Sequence, residues 1–318
     1  MILNTGSRTD IPAFFHKWFL NRVSEGFVYS RNPYNDQIYK YTFSPKNVDC
    51  MCFCSKNPKP LVKHMDELSE YKQYWFLTIN PYGRDVEVNV PGYKSVIKTF
   101  RKISENVGTN AIAWRYDPIF ITEKYDLDFH IDKFEEISSE LAGYTHDCTI
   151  SFIDLYQKVL RNFPEADEVT TEEQLIIGEN FSRIARENDI LIRTCLEGTL
   201  LDQFGCDSSG CMTQHVIEKA IGNNLKLPKG KYKNRECNCI FGRDIGAYNT
   251  CMHGCRYCYA NTNMKLVKKN QKLHNPDSPL LIGEVNDGDD VKEVNEPSYI
   301  ETREKVLPLK RTFQSTLL

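Results

Sequence analysis

Short apolar runs alternate with helix-patterned stretches along the first 195 residues. Apolar and β-rich runs fall at residues 2–4, 48–54, 74–79, 111–115, 148–153 and 190–193. Between them, apolar positions recur at helical spacing over 11–23, 59–70, 95–105, 130–141 and 172–187. The first of these stripes carries Phe14, Phe15, Trp18, Phe19 and Val23 on one face, with Asp10 and Pro12 as start signals. Strand starts lie 26 to 46 residues apart, the rhythm of βαβ units around a parallel sheet or barrel. Six units reach Arg193, so the expected fold is α/β, a partial (βα)6 TIM-like barrel. No internal repeat is visible.

After Cys195 the pattern changes. Gly, Asn, Cys and Lys become dense and strand signals fade. The chain divides on this reading into a partial barrel over 1–200, a basic, Cys-rich cluster-binding segment over 201–274 and a C-terminal tail over 275–318. The stretch 227–231 reads as a loop. The tail is expected to wrap the surface or to be partly disordered.

Composition narrows the class. Hydrophobic residues make up 41% and charged residues 26% of 318, enough for a sizeable core and unlike a disordered or collagen-like chain. No run approaches the ~18 apolar residues of a membrane span, so no membrane partner is expected. MILNTGSRTD lacks the basic and apolar regions of a secretory signal, and the expected location is cytoplasmic. The net charge of −3 hides an asymmetry. Twelve Lys/Arg against two acids between Lys219 and Lys272 make that stretch +10, whereas 284–304 carries eight acids and two bases. The global charge argues against general nucleic-acid binding. The local charge admits an anionic substrate or a strand at one place, or simply a solvated lysine-rich loop.

Twelve cysteines in a reducing compartment point to metal binding or chemistry rather than disulfides. Seven lie between Cys206 and Cys258. Cys251, Cys255 and Cys258 form a Cys-x3-Cys-x2-Cys string. Three thiolates so spaced suit one face of a [4Fe–4S] cluster and leave one iron open to a substrate. Gly254 lets the loop bend closely. A zinc knob with His253 as fourth ligand uses the same residues; otherwise His253 reads as solvent-facing or as a neighbour of the ligands.

The string Cys-x3-Cys-x-Tyr-Cys-Tyr-Ala resembles the cluster loop of radical S-adenosylmethionine (SAM) enzymes, nearest to the spore photoproduct lyase branch, with Tyr257 as the aromatic before the third cysteine. Gly6-Ser7-Arg8-Thr9-Asp10-Ile11-Pro12, Ser55-Lys56-Asn57-Pro58, Trp114-Arg115-Tyr116-Asp117-Pro118 and Asp244-Ile245-Gly246-Ala247-Tyr248-Asn249-Thr250-Cys251 are similar to the family known as domain of unknown function 1848. The resemblance implies a [4Fe–4S] cluster on Cys251, Cys255 and Cys258, with SAM on its open iron. One-electron cleavage of SAM would give methionine and a 5′-deoxyadenosyl radical that takes hydrogen from a substrate. A reductant such as flavodoxin or ferredoxin is implied as partner. Radical SAM enzymes carry the loop after the first barrel strand; here it lies near the C-terminus, as a circular permutation would place it. The usual Gly-Gly-Glu-like strand end is not recognisable.

Ligands of α/β folds sit at the carboxyl ends of parallel strands. Ser7, Arg8, Asp10, Thr78, Asn80, Arg115 and Asp117 fall there and, with Tyr257, are the candidate SAM contacts. Each has a plainer reading: Asp10 caps a helix, and Arg115 pairs with Asp117. Cys206, Cys211, Cys237 and Cys239, with Cys195 nearby, form a candidate second site for an iron–sulfur cluster or zinc, or pack as buried thiols. Cys50, Cys52 and Cys54 alternate on one strand face and read as core. Cys148 and Cys195 are candidate hydrogen-atom donors. For the substrate, Tyr232, Tyr248, Tyr257 and Tyr259 among basic residues suit a nucleic acid, and the same charge suits a nucleotide, a peptide or another anionic metabolite. The alternative class is a zinc- or iron–sulfur-containing nucleic-acid-binding or redox-sensing protein without turnover.

Overall fold

The computed structural model describes residues 1–228, 237–240 and 242–301. Most of the expected loop at 227–231, Tyr232 and the last residues of the tail lie outside them. Six strands occur where the apolar runs predict them: β1 (Ile2–Asn4), β4 (Cys50–Ser55), β5 (Gln73–Thr78), β6 (Ile112–Ile119), β7 (Asp147–Phe152) and β8 (Leu191–Thr194). A further short strand, β9 (Arg243–Asp244), joins them. The seven form one sheet in the order β8-β7-β6-β5-β4-β1-β9, and every pairing in it is parallel.

Parallel strands covered on both faces read as near-continuous apolar runs, and β5 shows why. Trp75 and Leu77 face one way, into a large core with Leu3, Met51, Phe53, Trp114 and Ile150. Tyr74 and Phe76 face the other way, into a second core with Ile2, Cys50, Cys52 and Ala113. Helices cover the first face: α1 (Ile11–Phe14), α2 (His16–Glu25), α3 (Lys59–Val62), α4 (Tyr93–Val107), α5 (Leu127–Leu141), α6 (Gln157–Asn162) and α7 (Thr171–Glu187). The second core also takes Val216, Ile217 and Ile221 of α8 (Gln214–Ile221), together with Cys211, Cys237 and Cys239.

The helix predicted over 11–23 is two helices. Phe15 leaves helical geometry at φ −129°, ψ 21° and is buried between them. The stretch 59–70 likewise splits into α3 and a 3₁₀ turn over Met65–Leu68.

The widest strand spacing, 2 to 48, hides a hairpin. β2 (Phe27–Arg31) and β3 (Ile38–Thr42) pair antiparallel, and β10 (Val291–Val294) adds to β3 in parallel. The tail is therefore held down as far as Ile300. Trp18 Nε1 donates to the Ser278 carbonyl at 2.8 Å, and the Tyr299 amide donates to Asp49 at 3.0 Å. Before it runs α9 (Met264–Gln271). No described helix is long and apolar enough to cross a membrane.

His130 lies wholly inside the large core, between the Tyr116 hydroxyl (2.8 Å) and the Phe120 carbonyl (2.8 Å). Burial lowers its pKa to about 4. The folded protein thus keeps it neutral where the unfolded chain, near 6.5, takes up a proton. Stability from this group is complete above pH 6.5 and is lost as pH falls toward 4. We expect urea unfolding to show a loss of about 3 kcal/mol from this source between pH 7 and 4. His130→Gln should flatten that part of the profile. An unchanged profile would refute the assignment.

Candidate functional site

The cysteine loop owes its position to β9. Arg243 and Asp244 pair in parallel with Leu3 and Asn4. Gly242 makes the approach feasible, because a Cβ there would lie 2.4 Å from the Ile2 carbonyl oxygen. Arg8 fastens the same edge: its Nε meets Asp244 at 2.9 Å, and its other nitrogens reach the Asp244 carbonyl and Ser30. Seven residues after Asp244 comes Cys251, at the end of the sheet where the strands terminate.

The loop is pinned on both sides. Asn89 donates its amide to the His253 carbonyl (2.9 Å) and its side chain to the Met252 carbonyl (2.8 Å). The Arg256 amide donates to the Val86 carbonyl (3.0 Å), and its guanidinium pairs with Glu165 (2.7 Å). Asn261 donates to the Cys251 carbonyl at 2.8 Å, and the Tyr259 hydroxyl donates to the Ser7 carbonyl.

Two buried polar groups join this loop to the strand ends. Asp10 caps α1 at the Ala13 amide (3.0 Å), as the plainer reading had it. It also accepts from Ser55 Oγ (2.7 Å), the Lys56 amide (2.9 Å) and His253 Nε2 (2.8 Å). Burial raises its pKa, but these donors, His253 first, bring it below the usual value. The second group centres on Glu87, which is 3% exposed. Glu87 accepts from Lys56 Nζ (2.9 Å), Asn80 Nδ2 (3.0 Å) and the Tyr257 hydroxyl. Lys56 lies 5.4 Å from the Tyr257 ring centre. Burial opposes its charge, yet Glu87, with Cys255 and Asp117 nearby, holds its pKa above the ordinary lysine value.

Cys251, Cys255 and Cys258 are half-buried free thiols. Burial raises the pKa of Cys251 and of Cys255, with Asp10 and then the nearby Cys258 adding at the first and Glu87 and then Cys251 and Cys258 adding at the second. The amides of His253 and Asp10 point at the Cys251 sulfur and work the other way. The three thiols therefore share one neighbourhood with Lys56 and Glu87. Among the described residues, no three His, Cys, Asp or Glu side chains already enclose a single ion. A [4Fe–4S] cluster instead spreads its thiolates over separate irons, and three soft donors within eight residues fit that chemistry. His253 is 2% exposed, with Nε2 held by Asp10 and a buried Nδ1 that has no partner, an arrangement that also suits a metal ligand, so a zinc knob using His253 fits these residues as well. The burial also corrects the expectation of a solvent-facing ring.

The remaining candidates divide. Arg115 and Asp117 pair at 2.8 Å, and Arg115 lies over the Phe76 ring at 5.2 Å. Asn80 bridges to Asp117 in both directions, at 2.7 and 2.9 Å. Thr78 ends β5, half-buried. Ser7 accepts from Asn4 Nδ2 at 2.9 Å. Arg8 is engaged by Asp244, the last residue of β9, and by Ser30 of the hairpin, so it clamps the β9 edge at the strand ends. Cys148 is buried in the large core under the helices, so it is no hydrogen donor at the strand ends. Cys206 also departs from its expected partners. It belongs to the large core and pairs with Ser182 Oγ at 3.2 Å. Cys195 takes its place: Cys211 Sγ lies 3.9 Å from Cys195 Sγ and 3.7 Å from Cys239 Sγ. Cys50 and Cys52 are core residues with sulfurs 3.8 Å apart, and burial pushes the Cys54 thiol up to about 12.

Two residues escaped sequence reasoning. Glu87 sits in the irregular stretch after β5, with no strand or motif to mark it. Glu197 follows β8 and is raised to about 7 by burial, with Asp154, Cys195 and Asp117 adding. Its place three residues after a strand end was the available signal.

An all-parallel α/β sheet with a three-cysteine loop at the carboxyl ends of its strands is the class of protein that the fold and site define. The chain belongs to the family described as a domain of unknown function (DUF1848), whose model matches residues 2–260. That span takes in all seven strands of the large sheet and the whole cysteine loop. No match is found among curated proteins.

Removing one partner of a buried ion pair strands the other charge. Lys56→Met should cost about 3 kcal/mol in urea unfolding. Glu87→Gln should cost less, because Asn80 and Tyr257 retain a partner. The double variant should lose less than the sum of the two. Strict additivity would mean that the pair is not coupled.

Proposed function

We propose that this protein is a radical SAM enzyme on a partial barrel, with Cys251, Cys255 and Cys258 holding a [4Fe–4S] cluster. The observation that carries the reading is the pairing of β9 with β1. Radical SAM enzymes bear their cysteine loop on the first barrel strand. Here the loop-bearing strand is the last of its sheet in sequence but stands at one edge of it, followed in space by six strands in chain order. A permuted chain of that kind has just this order.

A bound cluster would supply one electron to cleave SAM homolytically. The chain's own residues supply recognition and shelter. Lys56 and Arg115 are half-buried cations at the strand ends, suited to the carboxylate of the methionyl group. Glu87, Asp10 and Asp117 are the anions facing them, suited to an ammonium group. Tyr82, Phe120 and Tyr257, with ring centres 4.4 to 6.4 Å apart, form an apolar wall that keeps water from this corner. Glu197, with its pKa near 7, is able to hold or release a proton at neutral pH.

For the substrate we favour an anionic small molecule or nucleotide over a long nucleic-acid strand. Two cations of the basic stretch are already paired, Arg243 with Glu296 and Arg256 with Glu165. Lys265, Lys268, Lys269 and Lys272 lie on or beside α9.

The test is anaerobic. The protein is reconstituted with iron and sulfide, reduced with dithionite and given SAM, and 5′-deoxyadenosine is quantified by mass spectrometry. Wild type should form it, and Cys258→Ala should fall at least a hundredfold. A full cluster that neither binds nor cleaves SAM would overturn the proposal and leave a redox sensor as the reading.

A further inference from the structure

The second group of thiols has a geometry of its own. Cys195 directly follows β8, Cys211 lies three residues before α8, and Cys237 and Cys239 lie on a return segment. That segment is stitched to the stretch before α8. The Asn238 amide donates to the Ser209 carbonyl (3.2 Å), and the Ile240 amide donates to the Met212 carbonyl (2.7 Å). Cys211, Cys237 and Cys239 are 4%, 7% and 2% exposed, deep for side chains that bear titratable thiols.

The sulfur spacing identifies what fits. Four thiolates around one zinc at ~2.3 Å stand ~3.8 Å apart, the edge of a tetrahedron of that radius. The observed separations are 3.9 Å for Cys195–Cys211 and 3.7 Å for Cys211–Cys239, with Cys237 in hydrogen-bonding contact with Cys239. A cubane cluster puts each cysteine on a different iron and spreads the sulfurs wider. The surroundings suit a charged tetrathiolate. The Met212 amide donates to Cys239 Sγ at 3.3 Å, and the Arg115 guanidinium faces Cys195 and Cys211. Gly210, at φ +120°, makes room: a Cβ there would sit 2.8 Å from Cys239 Sγ. The four are free thiols, and no three of them yet enclose a common point; two of the sulfur pairs stand at the tetrahedral spacing, and side-chain rotation has to bring the others to it.

We propose that Cys195, Cys211, Cys237 and Cys239 bind one zinc ion, which fastens the return segment and the start of α8 to the end of β8. Cys206 has no part in it. With four protein ligands the site is closed, so its role is structural. It secures the covering of the second core beside Arg115, and does not depend on what the Cys251–Cys258 loop binds.

The test uses the full chain carrying Cys251→Ala, Cys255→Ala and Cys258→Ala, so that only the second set remains. Purified from zinc-supplemented cells, it should retain about one zinc per chain, with X-ray absorption showing four sulfur neighbours at ~2.3 Å. After chelation, Co(II) should restore one equivalent with the intense visible bands of tetrahedral thiolate-bound cobalt. Adding Cys211→Ser or Cys239→Ser should lower zinc content at least tenfold, whereas Cys206→Ser should leave it unchanged. Zinc below a tenth of an equivalent, two or fewer sulfur neighbours, or an iron–sulfur chromophore in this variant would each overturn the proposal. The absorption measurement needs no variant at the second site, so misfolding of Cys211→Ser cannot obscure the outcome. Wild-type protein that holds the zinc but neither binds nor cleaves SAM would count against the radical SAM reading alone.

Discussion

Asp10 is the point on which this end of the molecule depends. One buried carboxylate accepts from α1, from Ser55 and Lys56 at the end of β4, and from His253 inside the cysteine loop. Three segments distant in sequence thus share a single anion. Its lone pairs are satisfied, which is why it tolerates burial. Any shift of the cysteine loop would uncouple His253 and leave that anion short of a donor. The loop is therefore registered against the strand ends by electrostatics, while packing registers the sheet behind it.

Much of the large sheet was legible because a parallel strand buried on both faces leaves a dense apolar run. The stretches 74–79 and 148–153 differ from β5 and β7 by a residue at each end. The hairpin β2–β3 was not legible, because neither Phe27–Arg31 nor Ile38–Thr42 alternates cleanly between apolar and polar positions. β9 was beyond reach: two residues, Arg243 and Asp244, neither with the character of a strand, are held there by Gly242 and Arg8. The cysteine loop was visible from its spacing. Glu87 was not, since a carboxylate in an irregular stretch reads as exposed until its three donors are seen.

The two thiol groups illustrate how far spacing in sequence carries. Cys251, Cys255 and Cys258 are held in one neighbourhood by a loop pinned at Val86, Asn89 and Asn261. Cys206 and Cys211 are closer in sequence than Cys195 and Cys211, yet the chain between them turns Cys206 under α7, toward Ser182. Arg115 stands between the two groups. It faces Cys195 and Cys211 on one side, while Asp117 and Tyr259 feel its charge on the other.

The pairing of β9 with β1 sets an order of events in synthesis. Asn4 and its partner Asp244 are 240 residues apart in the chain. At ~5–20 residues per second, the edge of β1 waits roughly 10–50 s on the ribosome for its neighbour. The six strands made earlier are able to pair with one another in that interval; the cysteine loop finds its seat only after them. Its thiols are thus presented to a nearly finished protein, and β1 keeps an unpaired edge open to other chains until they arrive.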